Sequence, residues 1–192
     1  MSKINLEEKK QIQIGQKLVK QDSLATILLS KGESTEILKN YYTIDANFLA
    51  GILSTEELEH FMYENDNTNR FLLALTLSDT LRLKAEQISQ IRKENSFLNT
   101  QINISSENKY KLYIDKLSTI LDSKQYVILI KTIYVDKSVE ETNKDWDNIK
   151  KVKLAENKDS ITVYKELYKY NLYKNSFLDS YANKYDLKKA MN

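Results

Sequence analysis

Glu57 and His60 stand three residues apart, a Glu-x-x-His spacing that puts a carboxylate and an imidazole on one helix face, as in carboxylate di-iron bundles. Such a site needs the pair twice, and His60 is the chain's single histidine, so the expectation is a helix-surface histidine and no metal. Asp145, Asp147 and Glu156 fall at positions 1, 3 and 12 of a calcium loop, but Ile149 takes a ligand position and Lys150 the position that requires glycine. Cysteine is absent, which removes disulfides, thiolate ligands and thiol nucleophiles together. Gly15, Gly32 and Gly51 form neither a phosphate-binding loop nor a nucleophile elbow. The chemistry therefore reads as non-enzymatic, with no catalytic residue, no cofactor and no metal.

Two patterns suit binding rather than catalysis. Residues 37–53 have the outline of a helix-turn-helix, with Leu38, Tyr42, Ile44, Leu49 and Leu53 at core positions and Asp45 capping the second helix. Its recognition segment carries no Arg or Lys, and Lys39 stands where such units pack a small residue, so DNA binding is the runner-up reading. Further on, Tyr164, Lys165, Tyr168, Lys169, Tyr173 and Lys174 interleave rings and ammonium groups, a surface for stacking and phosphate contact or for an acidic protein. The plainer alternative is tyrosine at the margin of helix packing, ring inward and hydroxyl toward water.

The elements that must position these residues are helical. Leu77, Leu81, Lys84, Ile88, Ile91, Asn95, Leu98 and Ile102 follow at alternating steps of four and three, the heptad seam of a helix lying along another. A long helix over about 70–102 is expected, and Tyr110, Ile114, Leu117 and Leu121 resume the spacing as the return arm of a helical hairpin. A polar residue in such a seam fixes register at a cost in stability, so Asn95 reads as a specificity device. Ile88, Ile91, Asn95, Leu98 and Ile102 are the expected protein interface.

Before the seam, short helices are expected: one over Ile4–Val19, one capped by Asp22 or Ser23 and closed by Gly32, one starting at Ser34, one capped by Asp45, and one opened by the Ser54/Glu57 capping box. The polar run 64–69 sets the expected boundary between a cluster of short helices, 1–66, and a second part, 67–192. Beyond the hairpin, the β-branched run 126–135 reads as a buried helix, with a strand as the alternative. Ser138 and Glu141 form a second capping box. Val139, Thr142, Trp146, Ile149 and Val152 then mark one face, followed by a stripe of Ile161, Tyr164, Tyr168 and Leu172 and a final helix carrying Leu178, Tyr181 and Tyr185.

Composition agrees. The chain has 192 residues, 41% of them hydrophobic, enough to bury a core, and its three glycines and lack of proline argue against an all-β fold. Net charge is only +2, with the first hundred residues slightly acidic and the remainder slightly basic, short of a committed nucleic-acid binder. No apolar stretch approaches the roughly 20 residues that span a bilayer, and no signal-peptide pattern opens the chain, so a cytoplasmic setting is expected. Arginine is confined to Arg70, Arg82 and Arg92 among 29 basic residues, a bias toward AT-rich coding that points to a low-GC bacterium or its phage. The combined expectation is an all-α, partly elongated helical bundle that serves as an assembly, adaptor or inhibitor protein through a protein partner or self-association, without a membrane. A small DNA-associated regulator is the alternative.

Overall fold

Little in this chain interrupts a helix, since proline is absent and glycine scarce. The computed structural model describes residues 6–39, 41, 43–101, 103–152 and 159–181, and among them are eleven helices and no strand. The fold is all-α, as expected. The chain divides into two compact units, residues 1–76 and 77–192.

The first unit holds α1 (Glu8–Ser30), α2 (Thr35–Lys39), α3 (Ala46–Leu49), α4 (Thr55–Asn65) and α5 (Arg70–Thr76). Two separate helices were expected where α1 runs unbroken. Asp22 and Ser23 lie inside it, where Thr26 Oγ1 donates to the Asp22 carbonyl and Ser23 Oγ to that of Val19. Its end is where glycine placed it. Gly32 adopts φ +80, with Gly32 N–H donating to Leu29 O at 3.0 Å and Glu33 N–H to Leu28 O at 3.2 Å, the paired bonds of a Schellman motif.

Asp45 caps α3 by accepting from Phe48 N–H at 2.7 Å, yet α3 stops at Leu49 instead of reaching Leu53, and Gly51 turns the chain at φ +81. The Ser54/Glu57 box forms as expected, with both reciprocal bonds present. Asn69 Oδ1 then accepts from Phe71 and Leu72 N–H, both at 3.1 Å, and starts α5, whose Phe71, Leu72, Leu73, Ala74 and Leu75 are all buried. α5 packs on α4 and supplies the apolar centre of this unit.

The second unit contains α6 (Ser78–Leu81), α7 (Ala85–Thr100), α8 (Ser106–Ile120), α9 (Ser123–Ile133), α10 (Val135–Lys151) and α11 (Ser160–Tyr181). The continuous helix expected over 70–102 is three helices, α5, α6 and α7. Arg82 is the cause of the second break, for it sits in the left-handed region at φ 51 while Leu83 N–H donates to Ser78 O at 2.9 Å and closes α6. A left-handed arginine costs about 1 kcal/mol relative to glycine, and the groups that offset it come from α9, described below.

On α7, Ile91, Asn95 and Leu98 are buried and Ile88 is half-buried, with Lys84 exposed at its start; α8 packs on α7 and buries Tyr113, Ile114 and Leu117, with Leu121 buried just past its end and Tyr110 half-buried. Asn103 turns this hairpin at φ 64, and Lys116 Nζ reaches Glu94 across it at 3.1 Å. Ile102 lies outside the described residues. The run 126–135 is helical, as read, but it spans a helix end: α9 closes at Tyr134, which also starts α10. Only one side is covered, with Leu129 and Ile130 buried and Val127 and Ile128 exposed.

Candidate functional site

Of the expected interface, Ile91, Asn95 and Leu98 pack inside the second unit, Ile88 is half-buried, and Ile102 lies outside the described residues. Ile91 is 0% exposed, Leu98 5% and Asn95 8%.

Two glutamines that sequence reading passed over organise that core. Gln87 and Gln125 are each the third residue of their helices, α7 and α9, and each Oε1 accepts the backbone N–H of the residue three back, Lys84 at 3.0 Å and Asp122 at 2.9 Å. The two amides also bond to each other, Gln87 Nε2 to Gln125 Oε1 at 2.8 Å and Gln125 Nε2 to Gln87 Oε1 at 3.2 Å. The remaining donors close the opposite junctions: Gln87 Nε2 reaches Ile120 O at 2.8 Å, and Gln125 Nε2 reaches Leu81 O at 3.1 Å and Arg82 O at 3.4 Å. Four helix ends meet at one amide pair, and the carbonyls freed by the Arg82 turn are accepted there. The Asp122-x-x-Gln125 capping box was the available signal.

The α10–α11 pair is built differently. Ser138 does not cap a helix; it lies within α10, on the line Ser138, Thr142, Asp145 that faces α11. Val139 and Val152, expected on the packed face, are exposed, as is Ile161. Asn175 Nδ2 donates to Ser138 Oγ at 3.2 Å and Glu141 Oε2 at 3.0 Å, while Asn171 Nδ2 donates to Asp145 Oδ2 at 3.0 Å and Thr142 Oγ1 at 3.3 Å. Lys174 Nζ pairs with Glu141 at 2.9 Å, which holds the Glu141 carboxyl below its ordinary range and raises Lys174 in return.

The expected tyrosine–lysine surface divides between the two sides of α11. Tyr164 turns toward α10, donating its hydroxyl to Asn143 Oδ1 at 2.7 Å and meeting Trp146 edge-on at 6.4 Å, and Lys174 belongs to the seam. Tyr168 is half-buried. Lys165, Lys169 and Tyr173 remain on the outer side with Tyr170, where Tyr173 stacks on Phe177 at 5.5 Å and Lys169 pairs with Glu166 at 2.6 Å.

The metal-like spacings hold no metal geometry. Glu57 accepts from Lys10 at 2.7 and 2.8 Å as well as from Ser54 N–H, and the Lys10 ammonium, followed by that N–H, lowers its pKa. Asp147 pairs with Lys150 at 2.7 Å on a helix, Asp145 accepts from Asn171, and Glu156 lies outside the described residues. Among the described residues no group of three His, Cys, Asp or Glu side chains could hold a metal, and no helix is long and apolar enough to cross a membrane. Where the helix-turn-helix outline was read, α2 has five residues and α3 four; Leu38 and Leu49 are buried as core positions would be, and Phe48 is buried with them. Ile44, expected in its core, is exposed, and Tyr42 lies outside the described residues.

Among the described residues, α1 carries five exposed large aliphatic side chains. Ile14, Leu18, Gln21, Ala25 and Leu28, spaced four-three-four-three, form its inward seam, and Ala25 is fully buried. Lys10 ties that side to Glu57 of α4, and Lys17 donates to the Phe48 carbonyl while lying 4.7 Å over the Phe48 ring. Away from the seam, Ile12, Val19 and Ile27 are 52%, 68% and 49% exposed, with Leu24 and Leu29 also exposed. The seam was hidden in the sequence because Gln21 and Ala25 do not register as apolar.

No protein-family model matches the chain, and no curated protein or solved structure does so at a significant level.

Proposed function

We propose that this protein acts without chemistry of its own, as an assembly, adaptor or inhibitor protein, and that α1 is the face it offers to a partner. The supporting observation is the outer side of α1. Single exposed aliphatics are ordinary on any protein, but here five large ones stand on one helix whose other side is anchored by Lys10 and Lys17. Such a helix presents apolar knobs from a fixed position, with the exposed Lys9, Gln16, Lys20 and Ser23 interleaved among them on the same face. The occupant that fits is an amphipathic helix of another protein, anchored at Ile12, Val19 and Ile27.

The experiment is cross-linking and pull-down from the native host with wild type and an Ile12→Lys, Val19→Lys, Ile27→Lys variant. The variant should keep its helical circular dichroism and melting temperature and lose the captured protein. Capture unaffected by the triple change, or a variant that fails to fold, would remove α1 as the contact face. Light scattering on the same pair tells a second copy of this chain from a different partner.

A further inference from the structure

We propose that the distal half of the α10–α11 hairpin, residues 143–151 with 160–170, opens as a unit on an equilibrium of its own while α6–α9 stays closed. Among the described residues every fully buried side chain of α10 and α11 is polar: Ser138, Thr142, Asn171, Asn175 and Ser176. Beyond Thr142 on α10 and before Asn171 on α11 no described residue is fully buried, and Trp146, Ile149, Val163, Tyr164, Leu167 and Tyr168 are half-buried. That half is held by Tyr164 on Asn143, the Trp146–Tyr164 edge contact and, at its base, the bonds from Asn171 to Thr142 and Asp145.

Water replaces each of these polar contacts when the helices part, and the apolar side chains of this half are only half-buried, so separation forfeits less than parting the fully buried α7–α9 core would. The proximal half is held otherwise. Asn175 and Lys174 bind Ser138 and Glu141 there, and α11 also packs on α9, whose Leu129 and Ile130 are fully buried. The boundary between the halves is therefore Asn171, which acts as a latch. Closing restores a single register, because the amides of Asn171 and Asn175 meet hydroxyl and carboxylate acceptors only when Thr142 and Ser138 lie opposite them. Opening bares Trp146, Tyr164 and the Thr142–Asp145 edge at no cost to the core.

Amide hydrogen exchange on the full-length chain tests this directly. Under conditions where exchange reports opening equilibria, peptides from 143–151 and 160–170 should exchange on the order of 100-fold faster than those from 113–117 and 125–130. Acrylamide quenching of Trp146, the only tryptophan, should follow the same opening. Asn171→Ala should speed the distal peptides by about tenfold, and Thr142→Val with Asn171→Leu should slow them by a similar factor, both leaving the α8 and α9 peptides unchanged. Distal and core peptides exchanging alike in the wild type would overturn the proposal without recourse to any variant. So would a distal rate indifferent to both substitutions.

Discussion

Within the second unit, α6–α9 and α10–α11 solve the same problem with opposite materials. The first places Ile91, Leu98, Ile114, Leu117 and Leu129 between its helices and confines its polar groups to one amide pair in which every donor and acceptor is used. The second buries serine, threonine and asparagine fully, while Val139, Val152 and Ile161 are exposed and Ile149 and Val163 only half-buried. Apolar burial contributes stability in proportion to area, about 25 cal/mol per Å², whereas a hydrogen-bonded seam contributes mainly a choice of register. One half of the unit is thus strong, and the other is specific.

The largest effect that sharpens this contrast comes from the apolar side. Leu117→Ala, at a side chain only 1% exposed, should lower stability by about 3 kcal/mol in urea denaturation through lost transfer energy and a residual cavity. An effect below about 1 kcal/mol would mean that α7 and α8 collapse around the gap. Next is the amide pair. Gln125→Leu leaves Leu81 O, Asp122 N–H and the Gln87 amide without their partner, which should cost about 2 kcal/mol. A double-mutant cycle with Gln87→Leu should show coupling above about 0.5 kcal/mol, and strict additivity would refute the pairing.

Smaller still is the change on the polar side. Asn175→Leu removes two hydrogen bonds of the α10–α11 seam but adds apolar burial, and its net effect should stay within about 1 kcal/mol of zero. A loss as large as that of Leu117→Ala would erase the distinction between the two regions.

The smallest effect is electrostatic. The ammonium of Lys174 lies against Glu141 at 2.9 Å, with Asn175 donating to the same carboxylate and Lys137 at 3.9 Å. The Glu141 carboxyl is therefore held below its ordinary 4.5, and its contribution is present above that value and lost as pH falls through the depressed one. Lys174 is raised above 10.5, so its contribution is present below that value and lost as pH rises through the raised one. Acidification below about pH 4.5 should unlock the hairpin before the core, seen as a change in Trp146 emission ahead of the loss of helical circular dichroism. Coincident transitions would contradict this order.

Much of the fold was legible where local rules and packing agree. The Ser54/Glu57 box, the Gly32 stop and the Asp45 cap each needed only nearby residues. Asp22, Ser23 and Ser138 are ordinary helix-capping types, and nothing within a few residues tells a cap from a position inside a helix, where Ser23 Oγ donates back to Val19 O and the Asp22 and Ser138 carbonyls accept from Thr26 and Thr142. At the α7 seam the limit is different, since such a seam looks the same whether its partner is another chain or the next helix along.

The sequence by itself determined that this chain is helical, because a backbone with no proline and three glycines has few alternatives, and it determined which side of α7 would be buried. Only tertiary structure decided that the helix breaks at Arg82. A left-handed arginine is unfavourable in isolation, and it is held there by an amide 43 residues away whose donors satisfy the carbonyls the break exposes. In the same way Ser138, Asn171 and Asn175, polar types that alone carry no sign of burial, join Thr142 inside. Placed opposite one another on two antiparallel helices, they satisfy each other's hydrogen bonds, and that mutual satisfaction is what allows them inside.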